Sequence, residues 1–86
     1  MIKQIDLLKM LLKGGIQIEY GGEILVWDTK KTNYFGTKGV IVGTITEKTF
    51  DMLENKEIIV YNPKINKYVL AIEYRGENND NTKTNN

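Results

Sequence analysis

The sequence predicts a small α+β protein: two helix-plus-β-hairpin units joined by a short strand segment, giving an antiparallel sheet of about five strands with two helices packed on one face. Three observations carry this expectation. An amphipathic run followed by alternating residues occurs from Ile2 to Asp28 and again from Thr46 to Tyr74. Between them lies the β-branched run Val40-Ile41-Val42, bounded by Gly39 and Gly43. The stretch from Gly76 to Asn86 has no apolar side chain, so residues 1–75 read as a single α+β domain and 76–86 as a disordered polar tail.

On a helical wheel Ile5, Leu8, Leu11 and Leu12 share one face with Leu7 at its edge, while Asp6, Lys9 and Lys13 lie opposite and Met10 falls on the polar side. Residues 2–13 therefore read as an amphipathic helix closed by Gly14-Gly15. The segment Ile16-Gln17-Ile18-Glu19-Tyr20 alternates with period two, and Tyr20-Gly21-Gly22-Glu23 has the composition of a two-residue hairpin turn that needs positive φ. Such a turn pairs Ile18 with Leu25 and Ile16 with Trp27. It places those four side chains on one face and sends Ile24 and Val26 to the other, with Gln17 and Glu19. Residues 28–33 then read as a polar loop, and Gly36-Thr37-Lys38-Gly39 as a turn into the middle strand.

Thr46 is a natural N-cap for the second helix, with Ile45 and Phe50 spaced as a hydrophobic staple and Thr44 with Glu47 as a rival capping box. This helix runs to about Asn55. Its inward face is Thr49, Phe50, Met52 and Leu53, and Glu47, Asp51 and Glu54 share the opposite face. Strands Glu57–Tyr61 and Lys67–Tyr74 flank a turn containing Pro63. With Asn62 facing Lys67, Tyr61 meets Tyr68, Ile59 meets Leu70, Val60 meets Val69 and Ile58 meets Ala71, so both faces of this hairpin are apolar. Two helices cover only one face of a sheet. Ile24 and Val26 are therefore expected outside, as a surface for self-association into a homodimer or higher homo-oligomer.

The 86 residues carry 12 basic and 11 acidic side chains, a net charge of +1, with no His, Cys or Ser. Disulfides, structural zinc and His-, Cys- or Ser-based catalysis are thereby excluded, so the protein is expected to be no enzyme and to need no metal or cofactor. Glu47 and Asp51 stand one helical turn apart, which reads as a solvated face rather than an acid–base pair. Gly14-Gly15 and Gly21-Gly22 lack the following residues of a phosphate loop. No global field draws the chain to nucleic acid or to an anionic membrane, no membrane partner is expected, and any such binding must be local. An acid in the first residues and lysines in the apolar run argue against a signal peptide, which makes the cytoplasm the expected compartment. Lys outnumbers Arg eleven to one and Ile and Asn abound, the bias of an A/T-rich coding sequence in a low-GC bacterium or its phages and mobile elements.

Three binding functions follow, from different residues. The acidic stripe Glu47, Asp51, Glu54 suits a basic protein partner. Elimination of the catalytic classes, together with the surplus apolar surface, favours a phage- or mobile-element-encoded inhibitor or regulator that occludes a site on a host defence protein. The hairpin tip with Tyr61, Lys64, Lys67 and Tyr68 suits a nucleic acid or a nucleotide, hence a small nucleic-acid-binding regulator or an oligomer that sequesters a nucleotide messenger. A helix followed by this hairpin resembles the wing half of a winged-helix domain, although the preceding helix is acidic where a recognition helix meets phosphate. From composition, truncation after Arg75 is expected to leave the melting temperature nearly unchanged; a drop of several degrees in a thermal melt would show that the tail packs on the domain.

Overall fold

Ten buried side chains from six elements form one cluster: Leu7, Leu11, Ile16, Ile18, Ile24, Val26, Ile45, Phe50, Leu53 and Ile59. They place both long helices on the same face of one sheet, as expected. The computed structural model describes residues 1–76, which run α1 (Gln4–Lys13), β1 (Ile16–Glu19), β2 (Ile24–Thr32), β3 (Lys38–Ile45), α2 (Glu47–Asn55), β4 (Ile59–Asn62), β5 (Lys67–Leu70) and a short helix α3 over residues 71–76. The strands form a five-stranded antiparallel sheet in the order β3-β2-β1-β5-β4. The tail beyond Gly76 lies outside the described residues.

Helix α1 packs through Leu7 and Leu11, with Leu8 and Met10 half-buried against the core, whereas Ile5 and Leu12 face out. The face thus differs by about a quarter turn from the wheel expectation. Four leucines spread over a wide arc leave two facings almost equally apolar, and the tether decides between them. The Ile2 N–H donates to the Thr44 carbonyl at 2.8 Å, and Ile2 packs on the core just ahead of the helix. At the other end Gly14 and Gly15 both adopt positive φ, 87° and 76°, reversing the chain into β1 with conformations that side chains rarely take.

The first hairpin corrects the expected register by one residue. Ile16 opposes Asp28, Ile18 opposes Val26 and Glu19 opposes Leu25. Gly21 and Gly22 take no positive φ, so the two-residue turn is not made and a longer loop connects the strands. A one-residue slip exchanges the faces of a strand. Ile24 and Val26 are consequently 6% and 0% exposed and belong to the core beside Ile16 and Ile18, whereas Leu25 and Trp27 point to the open side. The pair expected on a self-association surface is thus interior to the chain.

Residues 28–32, expected as loop, prolong β2, with Thr32 opposite Lys38 after an irregular stretch that begins at Asp28. Asp28 and Thr29 are half-buried there, and Lys30, Lys31 and Thr32 are exposed. In the second unit Thr46 caps α2, its Oγ1 accepting the Thr49 N–H at 3.1 Å, and the pairs Ile59–Leu70, Val60–Val69 and Tyr61–Tyr68 form as expected. Strand β5 nonetheless ends at Leu70 rather than Tyr74. Its neighbour β1 begins only at Ile16, so residues past Leu70 find no strand on that side; after Ala71 donates to the Ile58 carbonyl the chain turns helical.

Val26→Lys is expected to prevent folding at 25 °C, because it puts an unpaired charge at a fully buried position. Leu53→Ala, also at a fully buried position, should cost about 2–5 kcal/mol in a urea titration. Leu12→Lys should change stability by no more than about 0.5 kcal/mol. A folded Val26→Lys protein would contradict the register described here.

Candidate functional site

The acidic residues Glu47, Asp51 and Glu54 are all exposed on α2, as the wheel places them, and the structure sets aromatic rings beside them. Tyr20 leaves the end of β1 and donates its hydroxyl to Glu47 Oε1 at 2.6 Å. Its ring lies 4.7 Å from that of Phe50, which sits 4.8 Å edge-on from Tyr68, and Tyr68 in turn lies 5.3 Å from Tyr61. Four rings thus run from the end of β1, under α2, to the edge strand β4. The hydrogen bond to Glu47, then its charge, pushes the Tyr20 phenol above its ordinary value. Burial first, and then the Glu54 carboxylate, does the same to Tyr68. Glu57, which follows the stripe in sequence, lies 3.5 Å from Arg75 in an exposed ion pair.

The four residues expected to form a nucleic-acid or nucleotide site are divided. Tyr61 and Tyr68 face the helices and join the acidic edge. Lys67, one residue before Tyr68, projects from the opposite side of the sheet, where its Nζ stands 5.2 Å over the Trp27 ring. Lys64 sits in the exposed turn, its N–H donating to Asn62 Oδ1 at 3.0 Å. The open side carries a row read directly from the register: Val60, Val69, Gln17, Trp27 and Ile41, one from each strand. Trp27 Nε1 donates to Glu19 Oε1 at 2.9 Å, so Glu19 and Lys67 together shield the largest ring of that row. A shallow hollow of about 270 Å³ lies on the same side between Gln17, Asn62, Ile65, Val69 and Tyr74, near the lower size limit of small-molecule sites.

The remaining surface feature was not legible from composition. The β2–β3 hairpin carries Tyr34 and Phe35 at its tip, 97% and 87% exposed, with their rings 5.6 Å apart and nearly perpendicular. Asn33 organises the tip: its Oδ1 accepts the N–H groups of Phe35 and Thr37 at 2.9 and 3.2 Å, and its Nδ2 donates to Thr37 Oγ1 at 2.6 Å. Gly36 completes the turn at φ 84°. A Tyr-Phe pair inside a polar stretch that ends in Gly was the available signal, but reading residues 28–33 as loop hid the strands that raise it.

Among the described residues no three of His, Cys, Asp or Glu come together to hold a metal ion, and no helix is long and apolar enough to cross a membrane. No family model, no curated protein and no solved structure matches the chain.

Both raised phenols are neutral when protonated, so the stability their shifts represent is present below pH 10.0 and is lost as pH rises through the raised values in the folded protein. The wild type should melt above the Tyr20→Phe/Tyr68→Phe variant at neutral pH. That gap should shrink above pH 10.0; a gap constant through the alkaline range would contradict the contacts.

Proposed function

We propose that the protein is a non-enzymatic binding protein, encoded by a phage or mobile element, that inhibits or regulates a host protein by covering a basic site on it. The observation that supports this reading is the coincidence of the acidic face of α2 with the ring series Tyr20, Phe50, Tyr68 and Tyr61. Carboxylates steer a cationic partner and fix its register, and rings supported from behind supply contact area at little cost in side-chain entropy. Lys and Arg side chains meet both chemistries at once, ion pairing with the carboxylates and stacking on Tyr faces. Phe50 is buried and holds Tyr20 and Tyr68 from below, so the rings at the surface are braced rather than loose.

Immobilised protein should retain a host protein from a lysate of the bacterium concerned, releasing it as salt is raised. Glu47→Lys/Asp51→Lys/Glu54→Lys should abolish retention while keeping the wild-type circular dichroism spectrum, since all three side chains are exposed. Retention of the same protein by this variant, or release by neither salt nor charge reversal, would refute the reading.

A further inference from the structure

We infer that the end of the molecule bearing the β2–β3 tip docks on an anionic lipid surface, with Tyr34 and Phe35 entering the apolar boundary and lysines meeting the headgroups. Antiparallel order brings the end of α1, the start of β1, the far ends of β2 and β5, and α3 to one end of the sheet. Four large apolar side chains project there: Tyr34, Phe35, Leu12 at 83% exposure and Ile72 at 73%. Scattered single residues of this kind need no explanation, but four at one end of so small a chain do.

The cations at the same end are Lys13, Lys30, Lys31 and Lys38, with Arg75 engaged by Glu57. The acids there are Glu57, paired with Arg75, Asp28 and Glu73. Asp28 stands at the base of the arm and accepts the Lys30 N–H at 2.9 Å, Glu73 lies against Gly14, and the arm itself from Thr29 to Thr46 contains none. Lys31 and Lys38 each lie three residues from the aromatic pair, on the strand ends that carry the turn, so their charges sit behind the rings where headgroups would lie. The balanced net charge of the whole chain conceals this local excess.

The backbone of the tip distinguishes a bilayer from a nucleic acid. The N–H groups of Asn33, Phe35, Gly36 and Thr37 are all spent inside the turn, on the Thr37 carbonyl, Asn33 Oδ1, the Asn33 carbonyl and Asn33 Oδ1 respectively. Of the five donors from Asn33 to Thr37 only the Tyr34 N–H makes no bond inside the turn, which lowers the cost of bringing it to an apolar boundary. A phosphate-binding loop instead leaves such donors free. The two rings also meet at 88°, which makes a compact knob and not a pair of parallel platforms for successive bases.

Co-sedimentation of the full chain with vesicles tests this. The protein should pellet with phosphatidylcholine vesicles containing phosphatidylglycerol, less so as salt is raised, and should stay in the supernatant with phosphatidylcholine alone. Tyr34→Ser/Phe35→Ser and, separately, Lys31→Gln/Lys38→Gln should each weaken partitioning about tenfold or more with unchanged melting temperature, because none of these side chains enters the core. The proposal is overturned if anionic vesicles do not bind the protein or bind the Tyr34→Ser/Phe35→Ser variant as well as wild type. It is equally overturned if a single-stranded oligothymidylate, and not the vesicles, binds through these residues.

Discussion

The two halves of this chain meet through a ladder of two residue pairs, Gln17 with Val69 and Ile18 with Tyr68. On one side of that ladder stand α1, β1, β2 and β3; on the other stand α2, β4 and β5. Net backbone hydrogen bonds contribute only about 1 kcal/mol each, so so short a seam does not hold two units by itself. The side chains laid across it do. Phe50 and Leu53 from the second unit and Leu7 and Leu11 from the first pack in a single cluster with Ile18, Val26 and Ile59, and each such fully buried side chain contributes about 1.5–3 kcal/mol. Removing the seam would split the core and leave each helix–hairpin pair with half of what it needs to stay folded.

Committing both helices to one side of the sheet determines what the other surfaces are. The open side presents the Val60, Val69, Gln17, Trp27, Ile41 row, interrupted by a polar residue at its centre and shielded at Trp27 by Glu19 and Lys67. It is therefore less bare than a continuous apolar face. Helix α2 turns its acids outward beside the ring series. The β2–β3 arm, which adds nothing to the core beyond Val42 and Ile45, lies at the other end with its lysines. The chain thus separates opposite charges within a net charge of +1, and the two proposed contacts use different residues and different elements.

Much of the architecture was legible because patterns at separate levels agreed. The α2 cap at Thr46, chosen over the rival Thr44–Glu47 box by the Ile45–Phe50 spacing, and the register of the second hairpin around Pro63 were readable in this way. The first unit was misread where two solutions were nearly equal. Ile24, Leu25, Val26 and Trp27 are all apolar, so alternation does not say which pair faces inward, and the choice fell to a Gly-Gly turn whose glycines adopt ordinary φ. The α1 leucines presented the same degeneracy around a wheel, settled by the Ile2 tether to Thr44. Acidic residues on α2 were visible as a stripe, but their ring neighbours come from β1, β4 and β5, and only tertiary structure joins them. Lys67 and Tyr68 are adjacent in sequence and lie on opposite sides of the sheet for the elementary reason that strand residues alternate.

Native-state hydrogen exchange across a denaturant series tests most directly whether the short β1–β5 seam and the shared core make one cooperative unit. Amides in β1 and β2 should open with the same free energy and the same denaturant dependence as amides in β4 and β5, because no core remains for either half alone. Amides of residues 59–70 opening at a distinctly lower free energy than those of residues 16–28 would show that the second unit detaches independently, and would contradict a core shared across the seam.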